Sequence, residues 1–460
     1  MFDAESIKKR DFGPGLLTLV CMRVVVSLAV LAWFVGISSH CLGQSVKDSA
    51  RDIANQALSI LRPLSEQWTS KPILYSKIAV ILARAGDRET ALEVFQEAIE
   101  HLDADELVKS SELCEIAINQ SRAGLDDHAL ATQETISTEF FYPEGYFNER
   151  CLLGIAESLA HRGNLANARA IAHRIKCGDD RCYIFARLAA ISNEKGQKEE
   201  CRQFVSDAVD CIKHDSPASD EWASTLAPRV VYELVEGRLM DDAAEIVAAV
   251  AASADDEYDW NGLVEMQGMC GNVDGVRSAA AELMKFSDSL LDQPFCTLHL
   301  AQAQAKAGLF EEACENARVI RDDNDEFYEY GSAVRYIAQE YIKQNRLAEA
   351  LAINRTISEN DHSRPYYYDT LLEIAVAEYN RGNQEEAKEL LAEVQRSIAG
   401  ITSYNGHPSW FNDLEFIAQV FGEIGLREDL EKWAESFESP YAKVSALIGL
   451  ASGLLNSTKK

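Results

Sequence analysis

The sequence predicts an all-α fold: an α-solenoid of about ten helix-turn-helix repeats, preceded by an N-terminal signal peptide or membrane anchor. Three observations predict it. One sequence pattern recurs along the chain. It consists of an apolar helical segment, a basic residue, a glycine, an acidic stretch and a second helical segment. The glycines stand 33 to 43 residues apart, a period typical of stacked helical hairpins. Alanine recurs at fixed distances on both sides of the glycines, which favours close packing of paired helices.

Residues 1–44 are predicted to be a signal peptide or an N-terminal membrane anchor. A basic cluster precedes an apolar stretch that Arg23 interrupts, and the uninterrupted part has 15 residues, a length typical of a signal peptide cleaved before Gln44. If Arg23 instead reaches the lipid headgroups, residues 15–39 would stay as a membrane attachment. A buried helix is the third alternative. Both leader alternatives predict a chain that is exported or periplasmic, or anchored to the membrane by this segment.

The remaining chain divides into three parts. Residues 45–72 are predicted to form a flanking helix, residues 73–437 the repeat array, and residues 438–460 a C-terminal capping helix and tail. A glycine or asparagine at each turn supplies the left-handed conformation that ends the first helix of a unit. The predicted turn residues are Gly86, Gly124, Gly163, Gly196, Gly237, Gly271, Gly308, Asn345, Gly382 and Gly425.

Small residues keep a constant distance from the turns. Seven residues before the turn stand Ala79, Ala117, Ala156, Ala189, Ala301, Ala338, Ala375 and Ala418, and five residues after it stand Ala91, Ala129, Ala168, Ala313, Ala350 and Ala387. Such side chains let two helix backbones approach closely, while an adjacent Ile or Leu fills the seam. The units at Gly237 and Gly271 lack the preceding alanine, and this departure is interpreted as a wider separation of the helices.

These units resemble the tetratricopeptide repeat family over about residues 73–437. The first unit carries the family's pattern at Ile78, Ala79, Gly86, Ala91, Phe95 and Ala98. The resemblance implies that the first helices line a concave surface that receives a peptide or a helix of a partner protein. The family's carboxylate clamp, a Lys ten residues and an Asn six residues before the turn, is absent: the first unit has Ser76 and Val80 at those positions.

Charge and motif content exclude several classes of function. The chain has 74 acidic and 44 basic residues, and its formal net charge of -30 repels phosphate backbones, so no nucleic-acid partner is expected. Basic residues just before the turns, such as Arg84, Arg122 and Arg162, are expected to offset the negative ends of the first helices. Metal, nucleotide and hydrolase motifs are missing from the sequence, which predicts no cofactor, no metal site and no enzyme.

The cysteines are expected to be small core residues, with one exception. Cys177 and Cys182 flank a short acidic segment, and the sequence leaves a local disulfide between them open.

The sequence therefore predicts a non-enzymatic scaffold or adaptor of the cell envelope that binds a protein or peptide partner in the concave groove. The alternative is a regulatory or sensing subunit that captures a peptide or small ligand. The candidate partner-binding residues are Arg335, Gln339, Lys306 and Gln302, a polar and basic island that could orient an acidic segment. Arg335 could instead pair with neighbouring acids such as Glu340 or Glu373.

Overall fold

The computed structural model describes residues 44–64, 71–137, 145–215, 226–254, 256–286, 294–323, 328–357, 364–399, 409–437 and 439–457. Within these ranges every regular element is a helix. The first helices of the units, with one more at the end, are α2 (Lys71–Arg84), α4 (Glu106–Arg122), α6 (Tyr146–His161), α8 (Gly178–Glu194), α10 (Ala227–Glu236), α12 (Glu257–Met269), α14 (Pro294–Lys306), α16 (Tyr328–Lys343), α18 (Arg364–Asn380), α20 (Ser409–Glu423) and α22 (Pro440–Ser457).

The second helices alternate with these along the chain. They are α1 (44–61), α3 (Arg88–Glu100), α5 (Asp126–Glu134), α7 (Leu165–Ala172), α9 (Lys198–Asp215), α11 (Met240–Ser253), α13 (Val273–Phe286), α15 (Phe310–Asp323), α17 (Leu347–Asn354), α19 (Gln384–Ala399) and α21 (Arg427–Glu435). Helices α2 to α21 form ten hairpins, which confirms the predicted all-α array of helix-turn-helix repeats.

The helices form two rows. Each second helix packs on the first helix of its own hairpin, and consecutive first helices pack directly on one another from α2 to α18. Consecutive second helices lie farther apart in the described part of the chain. Because the more closely spaced row follows the shorter path in a curved array, the first helices form the inner row and the second helices the outer row.

The turns explain why each first helix stops where it does. The predicted turn residues other than Gly237 have positive φ angles, from 63° at Asn345 to 96° at Gly86. The N–H of Gly86 donates to the carbonyl oxygen of Ala83 at 3.0 Å, and the N–H of Asp87 donates to that of Leu82 at 2.9 Å. These two bonds satisfy carbonyls that the helix end leaves open, as in a Schellman cap.

The fifth unit corrects the sequence prediction by one residue. Gly237 has φ -72°, and the left-handed residue is Arg238, with φ 60°. Gly237 is instead a contact residue, because a Cβ there would lie 2.6 Å from the Cα atom of Ala190 on α8. Counted from Arg238, Ala243 takes the alanine position five residues after the turn, and it is fully buried.

The alanine positions lie where the helices approach each other. All eight alanines predicted seven residues before a turn have 0% exposure, as do the six alanines predicted five residues after it. Their aliphatic neighbours, such as Ile78 and Ile337, are equally buried. These buried residues lie in the seam between the paired helices, and this seam is the core of the array.

The two ends of the array meet. Helix α22 packs against α20 and also contacts α2, the first helix of the first unit. Eight consecutive residues of α22, from Val444 to Ala451, are buried, which places neighbours all around this helix. An ion pair and a hydrogen bond cross the junction: the Nζ atom of Lys77 lies 2.6 Å from Oε2 of Glu415, and Arg84 donates to Oδ1 of Asn456 at 2.8 Å.

Close backbone contact explains how α22 fits beside α20. A Cβ on Gly449 or Gly453 would overlap the carbonyl oxygen of Glu415 or Gln419, respectively. Larger residues would push the helices apart. One apolar cluster contains buried residues from the first units, such as Ala50 and Ile116, together with buried residues from α14 to α22, such as Leu298 and Leu455, so the two ends share a core.

Helix α1 extends the outer row at this junction. Its buried residues Ala50, Ile53, Ala54, Ala57 and Leu61 form a stripe with helical spacing. Arg62, just after α1, pairs with Glu97 of α3 at 2.6 Å, as Arg277 of α13 pairs with Glu312 of α15 at 2.9 Å. Each row thus gains one helix from a chain end, and the array closes on itself.

Residues 1–43, with nearly all of the predicted leader, lie outside the described residues. Among the helices that are described, none is both long and apolar enough to cross a membrane. Cys177 is exposed and Cys182 is buried, and the disulfide between these two described residues, which the sequence left open, is not formed.

Candidate binding surface on the first helices

The inner row carries a ladder of ion pairs between neighbouring first helices. Arg187 of α8 donates to Oε1 of Glu157 on α6 and to Oε2 of Glu233 on α10, both at 3.0 Å. A hydrogen bond from His161 and the charge of Arg187 lower the pKa of Glu157 to about 2. One arginine therefore bridges three consecutive units, and the carboxylate beside it stays ionised.

Arg335 and Gln339 belong to a second such set. The guanidinium of Arg335 lies 2.8 Å from Oδ2 of Asp369 and 3.6 Å from Oε1 of Glu373, both on α18. Gln339 donates to the same Glu373 oxygen at 2.8 Å. The structure therefore shows the alternative that the sequence left open for Arg335, pairing with Glu373, and it adds Asp369. Glu340 pairs with Lys343 at 2.9 Å instead.

Lys306 and Gln302 lie on α14. The Nζ atom of Lys306 is 5.7 Å from the centre of the Tyr232 ring on α10, and burial lowers the pKa of this lysine. Gln302 is buried, with 6% exposure. The predicted island is thus split between an ion-pair set on α16 and α18 and a half-buried lysine that faces the fifth unit.

The concave side is narrow at the ends of α10, α14 and α16. Lys343, in the eighth unit, lies 3.9 Å from Oε1 of Glu236 in the fifth unit. Lys306 of the seventh unit reaches Tyr232 of the fifth. Side chains from units that are not neighbours along the chain therefore meet across the inner row, which leaves less room here than an open groove would have.

A basic cavity lies elsewhere on the inner row, between α2, α4 and α6. Its volume is about 300 Å³, and it is lined by Val80, Arg84, Arg122, Gly154, Glu157, Ser158, His161 and Arg162. We call this space the basic cavity. From the sequence, the three arginines are predicted only to be cations at helix ends. The cavity could have been inferred from the arginines at the same position in three consecutive units. Equivalent positions of neighbouring units lie side by side in such an array.

The basic side chains of this cavity differ in their partners. Arg84 donates to Asn456, and Arg122 donates to Oδ1 of Asn119 at 3.2 Å. Arg162 pairs with Asp126. His161 lies 3.5 Å from Glu157. Burial also lowers the pKa of Arg84.

Large apolar side chains on the first helices are partly exposed. Tyr232, Tyr336 and Phe416 have exposures of 44%, 36% and 42%, although they lie on helices whose other apolar residues are mostly buried. Tyr336 and Phe416 both stand nine residues before a turn, the position from which Glu373 and Lys77 contact another first helix. Exposed aromatic residues are enriched at contact surfaces.

A profile of the tetratricopeptide repeat matches residues 369–397, which lie in α18 and α19. The ninth hairpin is thus similar to a tetratricopeptide repeat. This match and the recurring hairpins confirm that the chain is built from tetratricopeptide-like repeats. A comparison with curated protein sequences finds no match.

Two solved structures are reported for comparison. The pentatricopeptide repeat protein PPR10 from maize is 15% identical with a TM-score of 0.31; the similarity covers 87% of this chain, which spans 60% of that chain. A circular tandem repeat protein with novel repeat topology and enhanced subunit contact surfaces is 14% identical with a TM-score of 0.17, covering 92% and 98% of the two chains.

Proposed function

We propose that this chain is a non-enzymatic scaffold or adaptor of the cell envelope that binds a segment of a protein partner on its inner row of helices. The observation that carries the proposal is the exposure of Tyr232, Tyr336 and Phe416 on first helices. Burying a large aromatic side chain against a partner contributes about 1.5 to 3 kcal/mol. The apolar leader in residues 1–44 supports the envelope location, since it has the length of a signal peptide.

A protein partner is favoured over a nucleic acid. With a formal net charge of -30, the surface repels polyanions over most of its area. The ion pairs of the inner row, such as Arg335 with Asp369 at 2.8 Å, also neutralise cations that could contact phosphates. Aromatic side chains beside paired charges are typical of protein contact surfaces.

The experiment compares two double variants of the tagged full-length chain in affinity capture from its native membrane fraction. Tyr336→Ser with Phe416→Ser removes exposed apolar side chains of the inner row. Met240→Ser with Met284→Ser removes side chains of similar exposure, 42% and 53%, from the outer-row helices α11 and α13. We expect the inner-row variant to lose the partner that the wild type and the outer-row variant retain. Equal recovery by both variants would contradict the proposal.

The second candidate, a sensing subunit for a peptide or small ligand, is favoured by the basic cavity. A volume of about 300 Å³ lies at the lower end of the range of small-ligand sites. In this case the array would respond to a ligand before it contacts a larger partner.

A further inference from the structure

The basic cavity concentrates positive charge in a strongly acidic chain. Three guanidinium groups and one imidazole share its lining with a single carboxylate, that of Glu157. Each cation lies near the C-terminal end of a first helix, where the helix dipole favours a positive charge. That effect explains one cation per helix. It does not require the cations of three consecutive helices to share one space.

Two of the three guanidinium groups have no carboxylate partner among the described residues. Glu157 already accepts from Arg187 at 3.0 Å, and it lies near His161. Arg162 is paired with Asp126. The hydrogen bonds of Arg84 and Arg122 go to the amide oxygens of Asn456 and Asn119, which carry no charge. Within the described part of the chain, the guanidinium groups of Arg84 and Arg122 therefore line the cavity with neutral hydrogen-bond partners.

We propose that the basic cavity binds an oxyanion, a carboxylate or phosphate group, held by Arg84 and Arg122. The planar guanidinium offers two parallel N–H donors that match such a group, and a partly buried guanidinium with a neutral partner gains most from it. The proposal rests on the sensing candidate above and names its ligand chemistry. The oxyanion can come from a free small polyanion or from the terminal carboxylate of a peptide.

Binding also affects the junction of the chain ends. Arg84 donates to Asn456 of α22, and Asn456 in turn donates to Oε1 of Glu423 on α20 at 3.2 Å. An anion beside Arg84 would lie next to the contacts that close the array. Because a ligand that binds only the folded chain stabilises it, saturating anion should raise the melting temperature.

The test measures binding to the full-length chain by calorimetry at matched ionic strength. The probes are citrate, inorganic phosphate, pyrophosphate, and one acidic peptide with either a free or an amidated C-terminus. We expect saturable one-to-one binding of a small anion, or of the free-acid peptide but not its amide, and these two results separate the sources. Arg122→Gln should weaken that binding about tenfold or more, since it removes a charged hydrogen-bond donor.

Arg202→Gln is the matched control. Arg202 is exposed on α9 and pairs with Glu199, outside the cavity lining. Arg122 is also exposed, so its variant should fold, which the melting temperature checks. The proposal is overturned if no probe binds saturably or if both variants bind as the wild type does. Such a failure would not affect the outcome of the capture experiment, because the capture variants change residues of α16 and α20 and not residues of the cavity.

Discussion

Glycines that occupy similar positions in the sequence have different structural roles in this array. Gly237 and Gly271 both follow a first helix and precede an acidic stretch. Gly271 has a positive φ of 67°, whereas Gly237 lets α10 approach Ala190 of α8. The turn of the fifth unit is then made by Arg238, an exposed residue in the left-handed region. Glycine thus adopts the left-handed turn conformation in one unit and allows two helices to pack closely in another.

This difference gives a prediction for Gly237→Ala. The added Cβ would lie 2.6 Å from both Cα and Cβ of Ala190, so two helices must move apart. We expect a loss of about 1 to 3 kcal/mol in the free energy of unfolding, as for other overpacked sites. Arg238→Ala is the control and should change stability by about 0.5 kcal/mol or less. Chemical denaturation measures both, and equal effects would argue against the close contact.

Glu112 predicts a pH dependence of stability. Its side chain is buried on α4, Oε2 accepts from the N–H of Asp103 at 3.1 Å, and burial raises the pKa of Glu112 to about 7. In the unfolded chain the pKa is close to the ordinary value of 4.5. Between these values the folded state binds more protons, so the contribution of this residue to stability falls as pH rises from about 4.5 to 7.

The variant Glu112→Gln removes that titration. At pH 8 we expect it to be more stable than the wild type by about 3 kcal/mol, since the pKa is raised from 4.5 to about 7 and one unit of pKa shift corresponds to about 1.4 kcal/mol. At pH 5 the advantage should have shrunk strongly. Urea denaturation at the two pH values measures the difference, and an advantage that stays constant would show that Glu112 does not titrate in this range.

At the scale of helices and hairpins, much of the fold could be predicted from the sequence. An alanine at a fixed distance from a turn indicates that two helices approach closely there. Ala79 and Ala338 are fully buried at such contacts. The fifth unit could not be placed correctly, because a glycine for packing directly precedes a non-glycine turn residue. The basic cavity was missed for a related reason. A cation at a helix end, such as Arg122, looks the same in sequence whether it faces solvent or a shared cavity.

The corrected register can be tested with two adjacent alanines of α11. Ala243 is fully buried, and Ala244 is exposed. We expect Ala243→Leu to destabilise the chain by about 1 to 3 kcal/mol, because the larger side chain must enter a filled seam. Ala244→Leu makes the same chemical change at the surface and should shift stability by about 0.5 kcal/mol or less. If the two melting temperatures fell equally, the turn at Arg238 would be wrong.

At the scale of the whole molecule, the chain ends determine what the inner row can bind. Closure depends on small rotations added over ten hairpins, which no local pattern in the sequence reports. The structure brings α2, α20 and α22 together, and it places the basic cavity beside that junction. A partner of the inner row would therefore bind to a closed array. The space inside the inner row is narrow near Lys343 and Glu236, and its lining is basic near Arg84.

The most direct test of this closure is a zero-length cross-link between Lys77 and Glu415. Their Nζ and Oε2 atoms are 2.6 Å apart, although the residues are 338 positions apart in the chain. A carbodiimide joins only such contacting amines and carboxylates, and Lys343 with Glu340, 2.9 Å apart, is the internal positive control. The account predicts an intramolecular Lys77–Glu415 cross-link in the monomeric fraction by mass spectrometry, lost in Lys77→Ala. Formation of the control link without the Lys77–Glu415 link would show that the array is open.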